Sequence, residues 1–195
     1  MTLAVPIALP QFWVFGLFAF AFFAFVIRAM RGRRAEENGR REARSRVGIV
    51  VQSIGIGMAG LGPIRPTLPW ASLPAMAGYA AVLLLMGSAV ALFASSSATL
   101  GKNWSFEART LDDHQLIRSG PYAHVRHPIY SAMLLFLLGL AAATGHWVQL
   151  LLAVPLFLAG TKIRTDAEDR LLEESFGDAF RQYRNGTPAL FPKMI

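Results

Sequence analysis

The chain has no cysteine, and that absence excludes disulfides, thiolate metal sites and a cysteine nucleophile. Charge is scarce as well: 16% of the 195 residues are charged against 54% hydrophobic, and mean hydropathy is +0.41. Soluble globular domains carry roughly 25% charged residues, so the composition points to a membrane. There is no phosphate-cradling loop of the form G-x-x-x-x-G-K-[ST], no serine nucleophile elbow, and no internal repeat or low-complexity tract. Residues 1–10 contain no Lys or Arg. The first apolar stretch therefore lacks the basic flank of a cleaved signal peptide and is expected to be retained.

What is present is a series of apolar stretches. Gln11–Ile27, rich in Phe, reads as a first transmembrane helix. Val47–Gly62 is weaker, with five glycines in sixteen residues and Gln52 and Ser53 inside. It is expected to cross with help from its neighbours, because small residues permit close backbone approach. Leu73–Ala94 is a third span, with Ser95 onward leaving the membrane. Ile129–Gly145 and Trp147–Ile163 follow, separated only by Gly145-His146, which predicts a tight antiparallel hairpin. Each has seventeen residues, the lower limit for crossing, so a hairpin that stops short of the far side stays open. Pro155 should kink the last span, and Arg164–Glu174 should continue it into water. The fold class is an all-α integral membrane bundle of about five transmembrane helices. Residues 1–94 form its N-terminal helices and basic loop, and residues 95–195 its hairpin and cytoplasmic segment.

The formal charge of +7 could suggest nucleic acid, but its distribution does not. Eight arginines fall in 28–46 with no aromatic residue interleaved, the pattern of a lipid-contacting loop, and no nucleic-acid partner is expected. Segments 28–46, 95–128 and 162–195 together hold eighteen of the nineteen Lys and Arg residues, leaving Arg65 opposite. The positive-inside rule then places the N-terminus outside and the C-terminus in the cytoplasm, as expected for a bacterial inner membrane. Apart from Lys162 at the very end of the last span, no Lys, Arg, His, Asp or Glu lies within the five spans, so an ion pathway would have no stepping stones.

Chemistry concentrates in Gly120-Pro-Tyr-Ala-His-Val-Arg-His-Pro-Ile-Tyr130. Pro128 suits the first turn of a helix, with His127 as its N-cap. Arg126 and His127 then sit at the positive end of that helix, either as a site for a carboxylate or phosphate or as headgroup anchors. The returning helix exits with Arg164 and Glu168 at i, i+4 and with Asp169 beside them. These acidic residues could equally be an exposed, salt-bridged face. A ligand using both groups carries a carboxylate and a cation, as S-adenosylmethionine does. His124 and His127 lack a third metal ligand nearby, so no metal is assigned. Asp112-Asp113-His114 resembles an acid–base cluster but, in a polar loop, reads as a turn or helix start. Trp104 and Tyr183 could stack on an adenine or anchor at the interface.

Three motifs, Leu100-Gly-Lys-Asn-Trp-Ser105, Ser119–Tyr130 and Arg164–Tyr183, resemble in order and spacing the isoprenylcysteine carboxyl methyltransferase family. The likeness extends to the wider phospholipid methyltransferase group and covers roughly residues 95–192. It implies an integral membrane enzyme that transfers a methyl group from S-adenosylmethionine to a lipid-like acceptor. By position, Tyr122, Arg126, His127, Pro128, Tyr130, Glu168 and Asp169 would hold the cofactor, with Arg164 and Tyr130 as catalytic residues. Two positions depart from the family pattern. Asp169 replaces the second glutamate of an acidic pair, which should shift or weaken the cofactor amino contact. Ala132 stands where a glycine often follows the tyrosine. The sequence offers no dedicated base, which favours a carboxylate acceptor already ionised at pH 7. An NADPH-dependent membrane reductase and a non-enzymatic membrane protein are the rival readings.

Overall fold

The computed structural model describes residues 4–31, 40–41, 43–101, 109–110 and 115–192. Six helices account for most of them: α1 Leu9–Arg31, α2 Ala43–Ala59, α3 Leu73–Leu100, α4 Pro128–Thr144, α5 Leu150–Phe176 and α6 Asp178–Gly186. A short 3₁₀ turn at Gly120–Ala123 precedes α4. Two residue pairs, Arg40 with Thr110 and Arg41 with Arg109, form a minimal antiparallel ladder between β1 (Arg40–Arg41) and β2 (Arg109–Thr110). Trp104 and the Asp112-Asp113-His114 cluster lie outside the described residues.

α1 and α3 are each long and apolar enough to cross a membrane, whereas α2 and α4 are shorter apolar helices. α5 is a single unbroken helix whose first half is apolar and whose second half is charged, and it continues through Pro155. α1 packs on α3 and α3 on α4, while α2 packs on α5. The first group is held by aromatic side chains. Phe22 lies 4.8 Å from Phe93 and 4.9 Å from Phe136, centroid to centroid, with Phe15 5.7 Å from Phe136. A second cluster joins the groups through Leu134 and Leu137 of α4, Ala59 of α2, and Ala153 and Phe157 of α5. Trp13, Phe20, Leu84 and Leu151 point outward as an apolar surface, the face a bundle presents to lipid.

Several boundaries differ from expectation, among them that of α1, which runs on to Arg31 past the expected end at Ile27. α3 does not end at Ala94 but runs on to Leu100, because Ser95, Ser97 and Thr99 donate their hydroxyls to the carbonyls of Leu92, Ala94 and Ser95 and so stay inside the helix. α2 starts and ends about a turn earlier than the 47–62 stretch. The hairpin turn is longer than Gly145-His146, since α5 begins only at Leu150. The hairpin is also less closely packed than expected, because α4 lies mainly against α3 and α5 mainly against α2. Gly145 closes α4 at φ 75°, and its carbonyl accepts from Val5 N–H at 2.9 Å.

The α2–α5 seam depends on glycine. A methyl group on Gly160 would fall 2.6 Å from the Gln52 backbone nitrogen and 2.8 Å from the Gly48 carbonyl oxygen. One on Gly55 would fall 2.8 Å from the Phe157 nitrogen. These are backbone atoms, so the helices themselves would have to part. Gly160→Ala should therefore lower stability by about 1–3 kcal/mol, whereas Gly57→Ala, which meets nothing within 4 Å, should not. Thermal melts of the two variants in detergent check this.

Candidate active site

Pro128 fixes where α4 begins: it occupies the first turn, and His127 is the N-cap at φ −126°, ψ 59°. The backbone N–H groups of Arg126 and His127 donate to the carbonyls of Pro188 and Ala189 at 2.8 and 2.9 Å. Ser131 Oγ donates to the Leu190 carbonyl at 2.6 Å, and Arg126 Nη1 reaches the carbonyls of Thr187 and Arg184. The C-terminal segment 187–190 is thus strapped across the start of α4. The acceptors expected from a ligand at this helix end are partly supplied by the chain itself.

The exit half of α5 brings its charges to the same place. Arg126 Nη2 meets Asp169 Oδ2 at 3.0 Å. His127 lies between the two carboxylates, Nδ1 3.2 Å from Glu168 Oε2 and Nε2 2.9 Å from Asp169 Oδ1. Neighbouring residues on a helix point about 100° apart, and an imidazole with nitrogens on opposite sides can bridge them. Tyr130 donates its hydroxyl to Glu168 Oε1, and the Arg164 guanidinium carbon stands 4.9 Å from the centre of the Tyr130 ring. Tyr122 is buried in the 3₁₀ turn, and its carbonyl accepts from the Tyr183 hydroxyl at 2.6 Å.

Both His127 nitrogens face carboxylate oxygens, so the ring is satisfied only as the imidazolium. Burial works against that charge, but the hydrogen bonds to Asp169 and Glu168 outweigh it and raise the His127 pKa from 6.5 to about 9. Burial likewise opposes ionisation of Glu168 and Asp169. Their bonds to His127, with help from Arg164 and Arg126 respectively, still hold both below the usual carboxylate range. The Tyr122 phenol is pushed up by burial and then by Glu168, and the Tyr183 phenol, chiefly by burial, to about 12. At neutral pH the cluster therefore carries three cations, Arg126, His127 and Arg164, and two anions.

Tyr122, Arg126, His127, Pro128, Tyr130, Arg164, Glu168 and Asp169 all fall within this one assembly. Tyr183 is part of the scaffold beneath it, and Ala132 is fully buried in the aromatic core. Two contributors were not assigned from sequence. Gln52, visible only as a polar residue in a weak span, accepts from Arg164 Nη1 at 2.9 Å. The 187–190 strap works through backbone carbonyls, which residue identity does not reveal.

A helical membrane bundle with an ionic cluster at one end of its central helix defines a class, and the comparisons give its family. Residues 76–179, over half of the chain, match the phospholipid methyltransferase family, and the chain belongs to it. The match begins within α3, earlier than the three motifs indicate. A protein-S-isoprenylcysteine O-methyltransferase from Schizosaccharomyces pombe is 35% identical over 80 residues, 41% of this chain and 34% of that protein. A cobalt-zinc-cadmium resistance protein from Cupriavidus metallidurans is 39% identical over 102 residues, 51% of this chain and 46% of that one. A nickel-cobalt-cadmium resistance protein from Alcaligenes xylosoxydans xylosoxydans is 28% identical over 106 residues, 54% and 49% of the two chains. The chain thus aligns with half or less of the length of each of these relatives.

The His127 shift has a definite sign. A folded pKa near 9 against 6.5 contributes stability that is complete below pH 6.5 and is lost as pH rises through 9. The gap in stability between the parent and His127→Gln should be widest near pH 6, on the order of 3 kcal/mol, and should close by pH 10. Melting temperatures of both proteins across that range check it.

Proposed function

We propose that this chain is a membrane methyltransferase that draws its methyl group from S-adenosylmethionine and passes it to a lipid-like acceptor at the cytoplasmic face. The observation that carries the reading is the paired Glu168 and Asp169 carboxylates, held ionised beside Arg126 and Arg164 at the end of the apolar α4. Membership of the phospholipid methyltransferase family supports the reaction class.

The residues present fit the cofactor chemically. Asp169 borders an open charged cleft of about 680 Å³ between α5 and α6, lined also by Asp166, Arg170, Glu173, Arg181 and Arg184. Arg126 Nε is buried and, among the described residues, has no hydrogen-bond partner, so one donor of the guanidinium remains for a ligand oxygen. Glu168 keeps a quarter of its side chain exposed while bonded to Tyr130 and His127, which leaves carboxylate capacity for an ammonium group. Bound S-adenosylmethionine supplies an electrophilic methyl on a sulfonium. Glu168 and Asp169 would face its cationic part, and Arg126 its carboxylate. Tyr122, His127 and Pro128 would shape the wall, with Tyr130 and Arg164 nearest the transfer. Positioning contributes most to such a displacement.

The acceptor that fits best is a carboxylate on a hydrophobic chain. It is ionised at neutral pH and needs no base, and His127, protonated and enclosed by two carboxylates, is a poor candidate for one. The likeness to an isoprenylcysteine O-methyltransferase supports the same class. Residues 95–195 would carry the chemistry and residues 1–94 would support it in lipid. The basic segments would lie in the cytoplasm and the N-terminus outside, which the one-sided distribution of Lys and Arg supports.

Glu168→Gln tests the reading. The amide keeps an acceptor for Tyr130 but withdraws the charge that faces the cofactor. Affinity for S-adenosylmethionine should fall about ten- to a hundredfold, the loss of one charge-assisted hydrogen bond, in a variant whose ligand-free melt shows a folded protein. Equilibrium binding to the purified variant measures it, and parent-like affinity would remove Glu168 from the site.

A further inference from the structure

Gln52 lies within the apolar face of α2 and is 1% exposed. An amide so placed costs free energy unless each of its polar atoms is paired. Here both are. Oε1 accepts from Arg164 Nη1 at 2.9 Å, and Nε2 donates to Thr161 Oγ1 at 2.7 Å. Thr161 Oγ1 donates in turn to the Phe157 carbonyl at 2.8 Å. A guanidinium can only donate, so the amide orientation is set by its partner.

The backbone makes room for this contact. A methyl group on Gly48 would fall 2.5 Å from Arg164 Cγ, and one on Gly160 2.9 Å from Gln52 Cγ. The two glycines therefore bring α2 close to α5 where Gln52 and Arg164 meet. From Arg164 the chain of contacts continues to the Tyr130 ring and, through its hydroxyl, to Glu168.

We propose that Gln52 is a positioning residue of the active site: it holds the Arg164 guanidinium over Tyr130 and so fixes the surroundings of Glu168 where the cofactor's cationic end is taken. This rests on the methyltransferase reading above. An aliphatic side chain would fill the seam between α2 and α5 at less cost, so packing alone does not account for an amide here. Loss of that acceptor is expected to let the Arg164 guanidinium shift over Tyr130 and so alter the surroundings of Glu168.

The test is calorimetry of the full detergent-purified chain with S-adenosylhomocysteine, alongside ligand-free melting temperatures. Four proteins are compared: the parent, Gln52→Met, Gln52→Glu and Thr161→Val. Gln52→Met keeps the length and loses the acceptor, and should bind about tenfold or more weakly. Gln52→Glu restores an acceptor and should recover near-parent affinity. Thr161→Val breaks the other end of the same buried chain and should lower the melting temperature while leaving affinity unchanged. If Gln52→Met does not fold, Gln52→Asn, too short to reach Arg164, carries the same expectation. Parent-like affinity in the variant lacking the acceptor, a glutamate that fails to rescue, or an equal loss in Thr161→Val would overturn the proposal. A parent that does not bind S-adenosylhomocysteine would remove the cofactor reading itself, a separate result from losing Gln52 alone.

Discussion

The bridge from His127 to Glu168 and Asp169 is the interaction on which the charged end of this bundle depends. Two carboxylates at consecutive helix positions repel each other and diverge, and burial penalises both. The imidazolium answers all three problems, since it is cationic and has a donor on each side. It also explains how α4 and α5, which touch little along their length, are registered at one end. The α1–α3–α4 group meets the α2–α5 group through ions here and through the Leu137–Phe157 cluster further in.

That arrangement leaves the cluster largely satisfied by its own members. Arg126 is shared between Asp169 and the carbonyls of Arg184 and Thr187, and the N–H groups of Arg126 and His127, just before α4, are taken by Pro188 and Ala189. A ligand bound as proposed would enter a site whose charges are already set and oriented. It would add to the remaining donor and acceptor capacity, as at Arg126 Nε and Glu168, without first having to assemble the site. Such preorganisation suits a transfer reaction in which geometry is most of the catalysis.

Much of this was legible in the sequence, for physical reasons. Pro128 marks the helix start whatever surrounds it, and a charged run after an apolar one has to leave the membrane, so the opposed groups at 126–127 and 164–169 could be placed at one end. The closeness of α2 to α5 was foreshadowed by glycines that are hard to explain otherwise. What could not be read was pairing. Hydrophobic patterns show which face is buried but not against which helix, so the divergence of α4 from α5 was hidden, as was the partner of Gln52. The end of α3 was misplaced because Ser95, Ser97 and Thr99 look like a helix exit yet satisfy themselves on the preceding turn. The strap at 187–190 acts through its backbone and leaves no mark in side-chain chemistry.

The central claim is that the cluster serves S-adenosylmethionine chemistry, and direct binding to the purified chain tests it most simply. Calorimetry in detergent at neutral pH with S-adenosylhomocysteine and, separately, NADPH should show saturable one-to-one binding of the first and none of the second. Binding of NADPH without S-adenosylhomocysteine would contradict it and favour a reductase, and binding of neither would leave the ionic cluster a structural clamp.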